Sequence, residues 1–209
     1  MPESRPIQNV VFDMGGVLLA WEPMQYALTY TGNEPDARLV CDALFCSSTW
    51  PLLDAGVISC DTMLTVAHAS LPERLWDACD QAFATFPAQQ RILTQTNDLG
   101  FRLVDAGYRV WLLSNVSIRF RNEFEPRIPL CPVMSGILTS AEEKLMKPDP
   151  AIYQRFCETF SVAPETCLFV DDSELNCQGA EKAGWQGFHF TRDCDALLER
   201  IRACGAYEV

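Results

Sequence analysis

Residues 7–16 read Ile-Gln-Asn-Val-Val-Phe-Asp-Met-Gly-Gly, an apolar run that ends in an aspartate and a pair of glycines. A short apolar run that leads into a glycine turn is typical of a buried strand. The sequence therefore predicts a strand from Ile7 to Phe12, with Asp13 at its carboxyl end and a tight turn directly after it.

Three further runs have the same character, and two of them also end in polar residues. Ser114-Asn115 follows the second run of the chain, and Asp171-Asp172 follows the third. The predicted strands are Arg109 to Leu113, Cys167 to Val170 and, with a weaker pattern, Gln186 to Phe190.

Helical patterns lie between these runs, and several of them end at a glycine. Strands that alternate with helices of this length favour an α/β fold, in which helices cover both faces of a parallel sheet. The predicted helices are Pro87 to Ala106, Pro150 to Phe160, Glu174 to Ala183 and Asp195 to Ala203.

The region from Trp21 to Phe86 breaks this alternation, because it contains helix-like segments and no convincing strand. Its position between the first two strands indicates a small helical cap inserted into the α/β core. We expect a core made of residues 1–20 and 87–209 and a cap made of residues 21–86. The predicted cap helices are Asp36 to Phe45, Asp61 to Ala69, with Ser59 or Asp61 as its N-cap, and Glu73 to Phe86.

The composition limits the possible partners and location. The 209-residue chain carries a formal net charge of −12, which disfavours a nucleic-acid partner. The first residues lack the pattern of a signal peptide, and no apolar run reaches the ~18 residues of a membrane span. The ten cysteines are scattered without a Cys-x-x-Cys pair, so we expect reduced thiols and a cytoplasmic protein.

Ligands bind at the carboxyl ends of the strands in an open parallel sheet, so the residues that follow the strands should share one site. Asp13 and Asp171-Asp172 would repel one another there unless a cation lies between them, and Mg²⁺ suits a site of oxygen ligands shared with a phosphate. Each aspartate could instead only cap a turn or a helix. Lys147, just before a predicted helix, could offset the charge of a transferring phosphoryl group. Ser114 offers a hydroxyl to a phosphate oxygen, and the amide of Asn115 offers a donor at the start of a helix.

Four segments in this order resemble the haloacid dehalogenase (HAD) superfamily, in particular its phosphatase-like members with a helical cap after the first strand. The resemblance covers nearly the whole chain and implies a Rossmann-like, HAD-like core. The first segment looks like the subgroup that contains sugar-phosphate phosphatases and the phosphatase domains of epoxide hydrolases. The segments are Val10-Val11-Phe12-Asp13-Met14-Gly15-Gly16-Val17-Leu18, Leu112-Leu113-Ser114-Asn115, Lys147-Pro148-Asp149-Pro150 and Phe169-Val170-Asp171-Asp172-Ser173-Glu174-Leu175-Asn176.

The resemblance implies a role for each matching residue. Asp13 would be the nucleophile and a Mg²⁺ ligand, and the backbone carbonyl of Gly15 a second ligand. Asp172 is the expected third ligand, with Asp171 beside it as a ligand or a supporting residue. By the same resemblance, Ser114 and the Asn115 amide would bind phosphate, Lys147 would neutralise charge, and Asn176 would order the loop after the third strand.

One position departs from the pattern, because Gly15 stands where most phosphatases of the family carry an acid/base aspartate. Water or a cap residue could supply the proton instead, and the candidates are Glu22, Asp54 and His68. His68 is also readily explained as a structural histidine. The tryptophans Trp21, Trp50 and Trp76 are most simply core of the cap or its hinge, although Trp21 and Trp50 could face a substrate.

The resulting hypothesis is a Mg²⁺-dependent phosphatase that acts on a small-molecule phosphate monoester through an aspartyl-phosphate, with a sugar phosphate favoured. One alternative is a metal-independent 2-haloacid dehalogenase-type hydrolase, although the resembling dehalogenases carry an aromatic residue at the position of Gly15 and lack the paired aspartates. Another is a catalytically weak binding or regulatory protein, and a phosphotransferase such as a mutase is a minor option.

Overall fold

A five-stranded, fully parallel sheet forms the centre of the computed structural model, which describes residues 6–209. Residues 1–5, on which the expectation of no signal peptide rests in part, lie outside the described residues. The α/β prediction is confirmed. The strands are β1 (Asn9–Phe12), β2 (Arg109–Ser114), β3 (Gly136–Thr139), β4 (Cys167–Asp171) and β5 (Gln186–His189), in the spatial order β3-β2-β1-β4-β5.

Strand β1 lies in the middle of the sheet, between β2 and β4. Phe12, its last residue, is level with Leu112 of β2 and with Val170 of β4. Because all three strands run in the same direction, the polar residues that follow them meet at one edge of the sheet.

The alternation of side chains along the strands divides the core between the two faces of the sheet. Val10 and Phe12 point to one apolar cluster, and Val11 points to the other. The first cluster contains residues of helices α6 (Thr94–Asp105) and α10 (Cys194–Cys204), and the second contains residues of α8 (Pro150–Phe160) and α9 (Glu174–Lys182).

Strand β3 is absent from the sequence prediction. It pairs only with β2 at the edge of the sheet and consists of Gly136-Ile137-Leu138-Thr139. A short edge strand that starts with glycine has a weak apolar pattern, which explains why it is not recognised. The short helix α7 (Ser140–Glu143) follows it directly.

Helices occupy the predicted cap region between β1 and α6. The N-cap of α4 is Ser59, whose side chain accepts a hydrogen bond from the backbone of Thr62. Of the two predicted N-caps, Ser59 and Asp61, the first is therefore correct. The division into a core and a cap at residues 21–86 itself stays a prediction. The helices are α1 (Pro23–Thr31), α2 (Glu34–Ala43), α3 (Trp50–Asp54), α4 (Cys60–Ala69) and α5 (Trp76–Gln89).

The prediction of one helix from Pro87 to Ala106 is wrong, because the chain is extended between α5 and α6. Ala20 donates its backbone N–H to the Arg91 carbonyl at 2.8 Å, and Leu93 donates to the Leu18 carbonyl at 2.9 Å. The segments that enter and leave the helical region therefore run side by side, which requires the helix to be interrupted here.

The helical region is held against the sheet-containing core by side chains of the core. Arg119 donates hydrogen bonds to the carbonyls of Phe83 and Ala84, at 2.9 and 3.2 Å, and its guanidinium lies over the Phe83 ring. Arg127 donates to the Gln90 carbonyl at 3.0 Å. Over residues 6–209, no helix has the length and apolar character needed to cross a membrane.

All ten cysteines are free thiols. Five of them are buried: Cys41, Cys79, Cys131, Cys167 and Cys177.

Candidate active site

Asp13 lies at the first position after β1, in a turn that keeps its backbone in the sheet. Its N–H donates to the Val170 carbonyl at 2.9 Å, and the carbonyl of Met14 then accepts hydrogen bonds from Leu18 and Leu19, each at 2.9 Å. Burial raises the pKa of Asp13 to about 7; the positive charge of Lys147 lowers it and nearby Asp171 raises it again. The carboxyl group is thus fixed in position but poorly solvated.

Lys147 is a fully enclosed cation, only 4% exposed, that joins two of these carboxylates. Its Nζ lies 2.8 Å from Asp13 Oδ1 and 2.7 Å from Asp171 Oδ2, and it donates a hydrogen bond to the Leu113 carbonyl at 3.1 Å. Burial alone would lower the pKa of Lys147, but the charges of Asp13 and Asp171 raise it above its ordinary value. The ammonium group therefore stays charged beside the nucleophile candidate.

Asp171 is completely buried, and each of its oxygens already has partners within the chain. Oδ1 accepts a hydrogen bond from the Ser173 backbone at 2.8 Å, Oδ2 faces Lys147, and the side-chain amide of Asn176 lies 3.1 Å from both oxygens. This arrangement uses Asp171 to hold Lys147, with Asn176 supporting Asp171.

Asp172 remains open to the site, and burial together with the charge of Asp171 raises its pKa. Single carboxylate oxygens of Asp13, Asp171 and Asp172 lie within 4.8 Å of one another. Gly16, at φ +71°, packs so closely against the Asp172 carboxylate that a Cβ at this position would collide with it. The glycine turn thus brings the loops after β1 and β4 together.

Ser114, the last residue of β2, and Asn115, which follows the strand, line the same cavity as Asp13. The Asn115 side chain forms two hydrogen bonds with the backbone of Lys147: it donates to the Lys147 carbonyl and accepts from the Lys147 N–H, both at 2.9 Å. Only its backbone amide remains for a ligand. Our expectation that a helix starts at Asn115 is wrong, since the next helical turn, a π-helix, begins at Phe120.

The cavity above these residues has a volume of about 270 Å³ and an aromatic side that faces the polar one. Tryptophan and phenylalanine rings from the helical region form most of this side, and neighbouring rings pack with centroids 5.2–6.0 Å apart. Trp21 and Trp50 thus face the cavity, as the sequence allowed. We call the set the aromatic wall; its members are Trp21, Phe45, Trp50, Phe86 and Phe124.

Gln90 is a site residue that sequence reasoning missed. It lines the cavity and is 2% exposed, yet neither polar atom of its side chain has a well-aligned hydrogen-bond partner within the described residues, although the amide lies close enough to Tyr26 to lower the pKa of that phenol. A buried amide without well-aligned partners carries a desolvation cost of up to about 1–3 kcal/mol. No motif surrounds Gln90, and its burial follows from the break between α5 and α6, which the sequence did not reveal.

The three candidates for a proton donor lie in different places. Glu22 pairs with Arg91 at 3.1 Å outside the cavity, and His68 contacts Asp80 at 2.6 Å and stacks on Trp76. Asp54, at the end of α3, is the one candidate of the three that lines the cavity with Asp13.

Trp76 differs from the expectation of a core or hinge residue. Its ring is 39% exposed, and its indole N–H donates to the His68 carbonyl at 3.1 Å. It lies outside the residues that line the cavity.

The parallel sheet, the acidic strand ends and the enclosed lysine together define a hydrolase core, and comparison with known proteins identifies the family. The chain belongs to the haloacid dehalogenase-like hydrolases, whose family model matches residues 7–184. The predicted superfamily and enzyme class are thereby confirmed.

The curated relatives include a phosphatase and a dehalogenase. The chain is 25% identical over 201 residues to the sesquiterpene phosphatase astK of Aspergillus oryzae, covering 93% of this chain and 95% of that protein. It is 32% identical over 91 residues to (S)-2-haloacid dehalogenase 4A of Burkholderia cepacia, covering 44% and 39%. A HAD family enzyme of Bacteroides thetaiotaomicron, solved with magnesium and inorganic phosphate, has the same fold, with a TM-score of 0.68 at 23% identity and coverage of 91% and 98%.

Proposed function

We propose that this chain is a Mg²⁺-dependent phosphatase that hydrolyses a small-molecule phosphate monoester through an aspartyl-phosphate on Asp13. The observation that carries the proposal is the buried cluster in which Lys147 Nζ lies 2.8 Å from Asp13, next to Asp171 and Asp172. Such a cluster binds a dianionic ester only if further positive charge compensates the carboxylates. A phosphoryl group held together with a dication satisfies this requirement.

The residues present fit a magnesium ion. Their donors are all oxygens, which hard dications prefer. Burial, together with the nearby charge of Asp171, raises the pKa values of Asp13 and Asp172, and a bound dication would offset both effects. Asp13, Asp172 and the Gly15 carbonyl would hold the ion, because the oxygens of Asp171 are occupied by other partners. When bound, the ion supplies charge neutralisation at the phosphate and keeps Asp13 ionised.

The chain's own residues account for the transfer itself. A carboxylate oxygen of Asp13 attacks phosphorus, the bond from phosphorus to the ester oxygen breaks, and water later cleaves the aspartyl-phosphate to release inorganic phosphate. Lys147 offsets the charge that Asp13 shares with the phosphoryl group. The Ser114 hydroxyl and the Asn115 backbone amide would orient the phosphate oxygens, a contribution of positioning rather than of covalent chemistry.

The aromatic wall supports a predominantly apolar organic group in the substrate. Few polar side chains remain in the cavity beyond those assigned to phosphate and metal, chiefly Asp54, Gln90 and Ser117. A sugar phosphate, favoured by the resemblance, requires more hydrogen-bond partners than this. The likeness to a sesquiterpene phosphatase supports the same choice, so we place phosphate monoesters of hydrocarbon-rich alcohols ahead of sugar phosphates.

The alternatives are less well supported. A dehalogenase is favoured by the Burkholderia relative, but that likeness covers only 44% of this chain. A metal-independent reaction also gives no reason for Asp172 to lie so close to Asp13, since the two carboxylates repel each other. A cytoplasmic location and the absence of a nucleic-acid partner stay predictions, the latter supported by the net charge of −12.

The test is turnover of p-nitrophenyl phosphate with Mg²⁺ and with EDTA, by the wild-type chain, by Asp13→Asn and by the matched control Asp98→Asn, an exposed aspartate of α6. A panel of prenyl, aryl and sugar phosphates follows. We expect turnover that requires Mg²⁺, survives in Asp98→Asn and vanishes in Asp13→Asn. Release of chloride from 2-chloropropionate in EDTA would instead support the dehalogenase, and a folded protein inactive on both would leave a binding role.

A further inference from the structure

Cleavage of a phosphate ester leaves a negative charge on the departing oxygen, and an alcohol leaves readily only if that oxygen receives a proton. Gly15, close to the nucleophile, offers no side chain for this purpose. The space around it is open, since a Cβ added to Gly15 would meet nothing within 4 Å. The proton must therefore come from another group that reaches the same cavity.

Asp54, which belongs to the helical region, fulfils this condition. It is the last residue of α3 and lines the cavity together with Asp13 and Ser114. The Trp50 side chain and the Ser117 backbone amide lie close enough to its carboxyl group to lower its pKa. Asp54 thus lies near both the aromatic wall and the loop that carries the phosphate-binding candidates.

The backbone of Asp54 is fastened to the core as well. The Ser140 hydroxyl, which is fully buried, donates to the Asp54 carbonyl at 2.5 Å and accepts from the Val116 N–H at 2.9 Å. Two residues further along, Lys144 donates to the Gly56 carbonyl at 2.8 Å. The end of α3 therefore has a fixed position relative to the loop after β2.

We infer that Asp54 is the catalytic residue that exchanges protons with the substrate, an inference that rests on the proposed phosphatase function. In the first step, the Asp54 carboxyl proton passes to the ester oxygen as its bond to phosphorus breaks and the bond from Asp13 forms. In the second step, the Asp54 carboxylate takes a proton from the attacking water as the bond from phosphorus to Asp13 breaks. Asp54 and Asp13 are then restored, and inorganic phosphate leaves.

The surroundings of Asp54 keep this group protonated at neutral pH. Burial raises its pKa to about 8; nearby Trp50, Ser117 and Lys147 lower it, whereas Asp13 raises it. Charged groups on the neighbouring helices are engaged elsewhere or exposed. Glu142 pairs with Arg121, Glu143 pairs with Arg155, and His68 contacts Asp80. Lys144 donates to the Gly56 carbonyl, and Asp61 is exposed to solvent.

The test compares Asp54→Asn with the wild-type chain on two esters of similar size, benzyl phosphate and p-nitrophenyl phosphate. Benzyl alcohol leaves poorly without a proton, whereas p-nitrophenol leaves well. We expect kcat/KM to fall by ~10²–10⁴-fold for benzyl phosphate and by less than about tenfold for p-nitrophenyl phosphate. Because the second step also loses its base, the variant should release a burst of p-nitrophenol equal to the enzyme concentration.

Two further measurements separate proton transfer from a structural role. The wild-type rate on benzyl phosphate should fall above about pH 8, and Asp54→Asn should lack this decrease. Adding Gly15→Asp to the Asp54→Asn chain should restore part of the benzyl phosphate rate, because the cavity beside Gly15 is open. Equal losses on both esters would overturn the role of Asp54, whereas a wild-type chain inactive on both would overturn the phosphatase function itself.

Discussion

The polar and the aromatic sides of the cavity differ in how their residues are held. On the polar side, Asp13, Lys147 and Asp171 form a chain of contacts of 2.7–2.8 Å in which each charge has a partner. On the aromatic side, rings pack at 5.2–6.0 Å and the one amide among them, Gln90, has no well-aligned partner. The first arrangement suits a fixed reaction on a phosphoryl group, and the second suits recognition of an organic group.

We expect the largest effect from Lys147→Met, which removes the buried cation of the polar side. Removing the ammonium group leaves Asp13 and Asp171 buried without a cation, so we expect the free energy of unfolding to fall by ~3–5 kcal/mol. Turnover should fall by on the order of 10²–10³-fold as the charge beside the phosphoryl group is lost. Denaturant unfolding and phosphatase kinetics measure the two effects. The control is Lys182→Met, an exposed lysine at the end of α9 that should change stability by less than ~1 kcal/mol.

The two glycines of the turn provide a sharper comparison within the polar side. Ala at position 16 requires φ near +71° and meets the Asp172 carboxylate, whereas Ala at position 15 enters open space. We expect Gly16→Ala to lose ~10²-fold in turnover through displacement of Asp172. Gly15→Ala should retain most of its activity and its Mg²⁺ affinity by calorimetry. Equal behaviour of the two variants would show that the approach of Asp172 to this turn does not matter.

The aromatic side predicts a smaller and more selective effect. Trp21→Leu removes a ring that packs on Phe45, Trp50 and Phe86, so kcat/KM for benzyl phosphate should fall by on the order of 10-fold. Inhibition by inorganic phosphate, which lacks an organic group, should not change. Trp76→Leu is the matched control, since Trp76 lies off the cavity, and a similar loss there would contradict the proposed role of the wall.

Residues at the ends of strands could be predicted from the sequence, whereas residues positioned by the packing of helices and loops could not. The polar residues follow strands whose apolar runs are easily recognised, so Asp13, Ser114 and Asp171 could be expected to meet at one sheet edge. The pairing of Asn115 with the Lys147 backbone could not, because it depends on two loops 32 residues apart. Gln90 and Asp54 belong to no motif, and their approach to the site depends on how the helices pack.

Gln90→Leu is expected to have the smallest effect and to move stability and activity in opposite directions. Leucine fills a similar volume without a buried amide that lacks well-aligned partners, so the free energy of unfolding should rise by about 1 kcal/mol. If Gln90 binds a polar atom of the substrate, KM for that substrate should rise a few-fold while kcat is retained. Thermal unfolding and a KM series over the panel test both statements. The two roles of Gln90 predict opposite signs for the change in the free energy of unfolding. An amide reserved for a ligand gives a more stable variant when it is replaced by leucine, whereas an amide that supports the junction between α5 and α6 gives a less stable one.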